Sequence, residues 1–214
     1  MEPSNRFTVL LGGELSVTPR LRAQVAGSRV IAADAGLKHA AKLGLEAELW
    51  VGDFDSAPAE LQAQHGQIPR QMHPADKDRT DGEIAIDEAI SRGAADLVLA
   101  GGLGGQTDHA LGHLALLLAL ARRGIGAFAT SGTEEAYPLI ADTTLPLPLP
   151  PGSRLSLIAF SDLDGLSIAG VRWPLTNAQV SHGSTRTLSN VVTDGARISL
   201  TAGSAILVAY PAGG

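Results

Sequence analysis

The sequence of 214 residues contains no cysteine. A disulfide framework, a zinc–thiolate site, an iron–sulfur cluster and a cysteine nucleophile are therefore excluded, and the absence favours a cytoplasmic location. Basic residues are also in the minority, with 16 Lys and Arg against 22 Asp and Glu and a formal net charge of -6. Because a protein that tracks nucleic-acid phosphates needs a basic surplus, we expect no nucleic-acid partner.

Long hydrophobic runs are missing as well. The apolar run at residues 7–11 is too short for the core of a signal peptide. The longest apolar stretch, residues 110–121, falls short of the roughly 20 residues that cross a bilayer. We therefore expect a cytoplasmic protein with no membrane partner.

The first 130 residues alternate between strand-like and helix-like patterns. Unbroken apolar runs of strand length are typical of strands buried on both faces, and helices between them indicate a parallel sheet. The predicted fold class is α/β, with a mostly parallel, doubly wound (Rossmann-like) sheet. Strands are predicted at 7–11, 29–33, 48–51, 96–100 and 125–129, and helices at 19–26, 37–43, 57–65, 81–92 and 107–123.

The pattern changes near residue 143. The proline-rich segment 145–152 cannot be helical and is a poor central strand, so it is interpreted as a linker. Short strand-like segments separated by turn residues follow it and predict a small all-β sandwich domain. The expected domains are residues 1–142 and 143–214. The strands of the second are predicted at 154–160, 166–169, 186–193, 197–201 and 205–210.

Two groups of aspartates are candidates for chemistry. Asp53 and Asp55 follow a predicted strand and, if its geometry persists, point to the same side, where Mg²⁺ would relieve their repulsion. Alternatively, each aspartate caps the next helix. Asp78 and Asp81 lie three residues apart at a helix start, where Asp is favoured in any case. Two basic residues of this segment could hold phosphate oxygens or lie solvated at the surface: Lys77 and Arg79.

A glycine run at residues 101–105 joins a predicted strand to a predicted helix. Its free backbone N–H groups would form an anion site, and its lack of side chains would let a ligand approach closely. It matches neither a Walker loop nor GxGxxG after the first strand. His109 is either a general base or a hydrogen-bonded residue of the first helical turn. Asp34 is either a ligand contact or a helix cap.

The ordered set of these motifs resembles the thiamin pyrophosphokinase family. The set comprises Asp-x-Gly at 34–36, GDFDS at 52–56, KDxTD at 77–81, the glycine-rich turn followed by Asp108-His109, and Ser189-Asn190 near the end. The resemblance implies transfer of the β,γ-pyrophosphoryl group of ATP to the hydroxyl oxygen of thiamin, with release of AMP. It also implies Mg²⁺ and a homodimer, with thiamin held by the small domain.

The resemblance assigns roles to individual residues. The candidates for Mg²⁺ and the triphosphate are Asp53, Asp55, Asp78 and Asp81, with Asp108 near the attacking hydroxyl. The expected lining of the nucleotide site is Asp34, Gly101, Gly102, Gly104, Gly105 and Gln106, with Lys77 and Arg79 on the phosphates. The expected thiamin contacts are Thr187, Ser189 and Asn190. Trp173 would stack on the cationic thiazolium or be a core residue of the small domain.

Three positions depart from the family pattern. Gln106 stands where the family has Arg, His113 where it has Asn, and Ala35 where it has a second Gly. Because Gln106 brings no charge, Arg79 or Lys77 would have to supply phosphate stabilisation. Two alternative functions stay open at this point. One is a Mg²⁺-dependent phosphotransferase or nucleotide hydrolase with another acceptor, and the other is a non-catalytic nucleotide or thiamin sensor.

Overall fold

The computed structural model describes residues 5–54, 60, 65–73 and 78–213. The chain divides into two compact units, Met1–His113 with Ile125–Gly132, and Leu114–Gly124 with Thr133–Gly214. The first is an α/β unit with a parallel sheet, and the second is an antiparallel β unit. In the part of the chain that the structure describes, no helix has the length and apolar character to cross a bilayer.

The parallel sheet of the first unit has the strand order β4-β3-β2-β1-β5-β6. Its inner strands are buried along almost their whole length, which explains their unbroken apolar sequences. The chain adds strands on one side of β1 and then returns to its other side with β5. The strands are β1 (Arg6–Leu10), β2 (Arg29–Ala33), β3 (Leu49–Gly52), β4 (Arg70–Met72), β5 (Asp96–Ala100) and β6 (Gly126–Thr130).

The helices begin and end at residues with clear local causes. Helix α1 (Pro19–Val25) starts after Thr18, whose hydroxyl accepts from the backbone N–H of Leu21 at 3.1 Å. A 3₁₀ turn (Asp34–His39) leads into α2 (Ala40–Leu43). Helix α3 (Asp81–Ser91) packs against β1, β2 and β3. Helix α4 is Thr107–Arg122.

Apart from Leu114–Gly124, the second unit consists mainly of antiparallel strands around one apolar core. One group of strands has the order β7-β13-β9, and β9 pairs with the start of β12. The rest of β12 lies between β8 and β10, and β11 pairs with the other side of β10. Side chains from the strands around β9 and from the strands around β12, such as Leu157 and Ile198, pack in one buried cluster. The strands are β7 (Glu135–Ile140), β8 (Thr143–Pro146), β9 (Arg154–Ala159), β10 (Leu163–Val171), β11 (Leu175–Val180), β12 (Asn190–Leu200) and β13 (Ser204–Tyr210).

The prediction that the proline-rich segment 145–152 is a linker is partly wrong. Its beginning belongs to β8, which pairs with β12, and the backbone N–H of Leu147 donates to the carbonyl of Ala196 at 3.0 Å. Leu147 and Leu149 are buried, whereas Pro148 between them is exposed. Leucine and proline therefore alternate with the period of a strand, and proline is tolerated because its missing N–H is not needed on the outer side.

Several element boundaries also differ from the sequence expectations. The domain boundary expected at 143 stays a prediction; in the structure, β7 pairs with β13 of the second unit. The segments predicted at 186–193 and 197–201 form the single strand β12, and β4, β7 and β11 were not predicted. The strands at 29–33 and 96–100 are confirmed. Most of the helix predicted at 57–65 lies outside the described residues.

Two glycine substitutions should have opposite effects on stability. A Cβ at Gly36 would overlap the carbonyl oxygen of Leu10, so Gly36→Ala is expected to lower the free energy of unfolding by about 1–3 kcal/mol. Gly112 lies exposed in helix α4 with open space around it, so Gly112→Ala should raise that free energy by up to about 1 kcal/mol. Urea titration of both variants measures the difference, and equal stabilities would contradict the packing described.

Candidate active site

A cleft of about 630 Å³ opens at the carboxyl ends of the parallel strands of the first unit. It lies where the strand order reverses between β1 and β5, the position at which open α/β sheets bind ligands. Several residues predicted for the nucleotide and metal sites lie together in its lining. They are Asp34, Asp53, Arg79, Asp81, Gly101, Gly104, Gly105 and Gln106.

Glycines form the floor of the cleft because two backbone turns meet there. A Cβ at Gly13, which follows β1, would overlap the carbonyl oxygen of Gly101, which follows β5. Gly101 has φ +80°, and a Cβ there would overlap the carbonyl oxygen of Leu11. Only glycine permits this approach and this backbone conformation. At Gly13 and Gly101 themselves, the lining of the cleft is therefore backbone alone.

Asp34 enters the cleft from the end of β2 in an uncommon backbone conformation. Its φ is +44°, a left-handed value that costs a residue other than glycine roughly 1 kcal/mol or more. The indole Nε1 of Trp50 donates to the carbonyl oxygen of Asp34 at 2.8 Å and holds this turn in place. Trp50 is fully buried on β3, so the conformation of Asp34 depends on the core of the sheet.

Asp53 is positioned by the aromatic residues on either side of it. The ring of Phe54, which has φ +65°, meets the ring of Trp50 edge-on with centroids 4.8 Å apart. The guanidinium carbon of Arg70 lies 4.9 Å from the centre of the Trp50 ring and 5.5 Å from that of Phe54. Packing of this kind fixes the backbone that carries Asp53 into the cleft.

Asp81 is the first residue of helix α3. The hydroxyl of Thr80 caps this helix by accepting from the backbone N–H of Glu83 at 3.2 Å. The neighbouring Arg79 also lines the cleft and donates to a carboxylate oxygen of Asp87 at 2.7 Å. The helix cap therefore helps to fix the turn that places Arg79 and Asp81 in the lining of the cleft.

Lys38 is a cleft residue that the sequence did not predict. It lies in the 3₁₀ turn Asp34–His39 that follows β2. Its ammonium donates to the carbonyl oxygen of Gly12 at 2.6 Å, and it lines the cleft. Among the residues that the structure describes, it has no carboxylate partner. Its position depends on this turn, so a helical spacing in the sequence does not identify it.

His113 lines the cleft together with His109. Its Nδ1 lies 2.8 Å from the carbonyl oxygen of Gly102, which can only accept, so Nδ1 carries the proton. Burial lowers the pKa of His113, although the Gly102 hydrogen bond acts in the opposite direction. The imidazole is therefore neutral at neutral pH, and its Nε2 is a hydrogen-bond acceptor.

Other predicted residues lie elsewhere. Asp78, Gly102 and Asp108 are not among the described residues that line the cleft. Asp108 is exposed, and its carboxylate accepts from the backbone N–H of His109 at 2.9 Å. Asp55 and Lys77 lie outside the described residues.

The predicted thiamin contacts lie close together in the second unit. Thr187 is buried and its hydroxyl donates to the carbonyl oxygen of Leu157 at 2.7 Å. Asn190 is buried, whereas Ser189 and Trp173 are exposed. The exposed indole excludes the interpretation of Trp173 as a core residue.

The donor set of the cleft suits a hard divalent cation carried by a nucleotide. Mg²⁺ commonly takes one or two carboxylates and completes its shell with phosphate oxygens and water. Asp53 and Asp81 supply such carboxylates in one cleft. In the described ranges, no three His, Asp or Glu side chains are placed to hold a metal ion by themselves, so phosphate oxygens would have to complete the set.

Two family models match the chain in order. Residues 24–129 match the thiamin pyrophosphokinase catalytic domain, and residues 143–206 match the thiamin pyrophosphokinase vitamin B1 binding domain. Thiamine pyrophosphokinase of Bacillus subtilis (strain 168) is 30% identical over 152 residues, which are 65% of this chain and 66% of that protein. The aligned region thus spans just under two thirds of the relative's length.

Solved structures of similar proteins have the same fold. A crystal structure of thiamine pyrophosphokinase from Bacillus subtilis gives a TM-score of 0.84 at 22% identity, covering 97% of this chain and 99% of that one. The thiamin pyrophosphokinase from Geobacillus thermodenitrificans gives 0.82 at 27% identity, covering 97% and 98%. These likenesses agree with an α/β sheet of parallel strands combined with an antiparallel β unit.

Lowering the pH from about 7.5 to about 5.5 should destabilise the protein through His39 and His113. His39 is buried and contacts the Gly13 carbonyl oxygen through Nε2 at 2.9 Å. Burial holds the pKa of both imidazoles below the usual value of 6.5. Between the lowered pKa values and 6.5, the unfolded chain binds more protons than the folded chain, so the free energy of unfolding falls as pH falls. Urea titrations along this pH range measure the loss.

A histidine variant isolates this effect. His39→Gln retains a side-chain N–H for the Gly13 carbonyl but cannot take up a proton, so it should lose less stability over the same range. The matched control is His182→Gln, at an exposed position, which should behave like the unaltered protein. An equal pH dependence in His39→Gln and the unaltered protein would contradict the account.

Proposed function

Since the chain belongs to the thiamin pyrophosphokinase family, we infer that the cleft at the end of the parallel sheet is where this enzyme uses ATP to pyrophosphorylate thiamin. The observation that supports this most strongly is the order of the two domain matches along one chain. The products are thiamin diphosphate and AMP. We further propose that the sheet is doubly wound and Rossmann-like, which would place the nucleotide at the reversal between β1 and β5.

The proposed triphosphate site uses the two glycine turns and the cations beside them. The backbone near Gly13 and Gly101 allows phosphate oxygens to approach without a side chain in the way. Lys38 brings a positive charge to this edge, and Arg79 brings a second one that Asp87 already partly balances. Together with Lys77, predicted from the sequence, they would compensate for the uncharged Gln106.

The carboxylates are proposed to hold Mg²⁺ with the nucleotide. Asp53 and Asp81 line the cleft, and Asp55 and Asp78 complete the set that the family resemblance implies. When bound, Mg²⁺ would neutralise charge on the phosphate oxygens and hold them as a template. The contribution of the chain itself is to hold these carboxylates at fixed strand and helix ends, so that little reorganisation is needed during the reaction.

The transfer needs no covalent enzyme intermediate. The thiamin hydroxyl oxygen forms a bond to the β-phosphorus of ATP, the bond from that phosphorus to the oxygen bridging to the α-phosphorus breaks, and AMP leaves with that oxygen. The hydroxyl proton passes to a carboxylate, for which we propose Asp78 or Asp108. Both side chains are exposed.

The second unit is proposed to hold thiamin. Ser189 and Trp173 offer an exposed hydroxyl and an exposed aromatic ring, and an aromatic face favours a cationic thiazolium. We assign ATP to residues 1–142 and thiamin to residues 143–214, with β7 pairing into the sheet of the second unit. We also propose a homodimer, as the resemblance implies, and a cytoplasmic location, which the cysteine-free composition favours.

Removing either cleft carboxylate should abolish most of the activity. Asp53→Asn and Asp81→Asn keep side-chain size but lose the charge for Mg²⁺, so thiamin-dependent AMP release should fall by about 100-fold or more. Chromatography of AMP and thiamin diphosphate measures the loss, and the thermal unfolding temperature verifies the fold. The matched control is Asp96→Asn, at the opposite end of the sheet, which should retain activity.

Mg²⁺ dependence can be tested without turnover. ATP with Mg²⁺ at millimolar concentration should raise the thermal unfolding temperature, whereas ATP with a chelator should raise it less. In Asp53→Asn the unfolding temperatures with ATP and Mg²⁺ and with ATP and the chelator should differ less, because a carboxylate that binds the metal is missing. Equal protection by ATP with and without Mg²⁺ in the unaltered protein would refute the metal site, while absence of protection in both would refute the nucleotide site.

A further inference from the structure

The side chain of Asn190 is occupied by hydrogen bonds to neighbouring backbone. Its Oδ1 accepts from the backbone N–H of Trp173 at 3.1 Å and from that of Val191 at 2.9 Å, and its Nδ2 donates to the carbonyl oxygen of Trp173 at 2.7 Å. Asn190 is only 8% exposed. Both lone pairs of the amide oxygen and one amide hydrogen are thereby used within the protein.

Two of these three hydrogen bonds hold the backbone of Trp173. It lies in the turn between β10 and β11, and its side chain is 54% exposed although it is among the largest apolar groups of the chain. The guanidinium carbon of Arg172 lies 4.8 Å from the centre of the indole ring. An exposed turn would ordinarily let such a side chain change position, whereas the amide of Asn190 bonds to both the N–H and the C=O of Trp173.

We infer that Asn190 is a positioning residue that acts on thiamin through Trp173 instead of contacting thiamin itself. The inference rests on the proposed thiamin site of the second unit. Asn190 holds the backbone of Trp173, Arg172 covers part of the indole, and the remaining ring surface is presented to the thiazolium cation. The sequence resemblance instead implies that Asn190 contacts the substrate directly.

Kinetics of single and double variants separate the two roles. Asn190→Ala and Trp173→Ala should each raise the KM for thiamin about tenfold, with the KM for ATP and kcat changed by less than about twofold. The double variant should be no worse than Trp173→Ala alone, because Asn190 has no route to thiamin except through the indole. Independent effects that multiply in the double variant would overturn the inference and restore Asn190 as a direct contact.

Fluorescence reports on the positioning without any substrate. The chain has two tryptophans, and Trp50 is fully buried, so quenching by acrylamide senses mainly Trp173. Asn190→Ala should lower the fluorescence anisotropy of Trp173 and change its quenching, and Trp173→Phe supplies the Trp50 background. Unchanged anisotropy and quenching in Asn190→Ala would overturn the inference.

Controls separate this inference from the proposed function. Gln179→Ala removes another side-chain amide, exposed on the adjacent β11 and bonded to Asp164, and should alter neither fluorescence nor the KM for thiamin. Asn190→Asp keeps the size and the oxygen acceptor but removes the donor to the Trp173 carbonyl, and replaces Asn190→Ala if that variant does not fold. Absence of thiamin-dependent turnover in the unaltered protein would refute the proposed function. The fluorescence anisotropy of Trp173 would still decide whether Asn190 holds Trp173.

Discussion

The architecture of the cleft depends on the close backbone contact between the turns that follow β1 and β5. Gly13 and Gly101 approach so closely that a Cβ on either would overlap a carbonyl oxygen of the other turn or of Leu11. This contact sits where the strand order reverses, so it closes the floor between the two halves of the sheet. Asp34, Asp53 and Asp81 are each placed in the cleft by the end of a strand or the start of a helix.

The carboxylates around this floor are held by the hydrophobic core. Trp50 supports Asp34 through its indole N–H and supports the Asp53 segment through its edge-on contact with Phe54. The left-handed conformations of Asp34 and Phe54 are unfavourable by themselves, and the packed sheet offsets their cost. One buried side chain therefore couples the stability of the fold to the geometry of the charged site.

The sequence was sufficient to predict the parallel strands other than β4, because strands buried on both faces appear as unbroken apolar runs such as 29–33 and 96–100. The short strand β4 has no such run and is largely exposed. The sequence was insufficient for β8, where prolines concealed a two-residue period. Glycines and aspartates at strand ends predicted the cleft. Lys38 was not predicted to line it, because the position of Lys38 depends on a 3₁₀ turn. Asn190 was named from the sequence resemblance, whereas only the structure reveals that its amide bonds to the backbone of Trp173.

The most direct test of the account is a crystal structure with a non-hydrolysable ATP analogue, Mg²⁺ and thiamin. The account predicts the triphosphate over Gly13 and Gly101, and a metal about 2.1 Å from carboxylate oxygens of Asp53 or Asp81. It also predicts the thiazolium against the ring of Trp173. A triphosphate bound away from the glycine floor, or a metal with no contact to either aspartate, would contradict it.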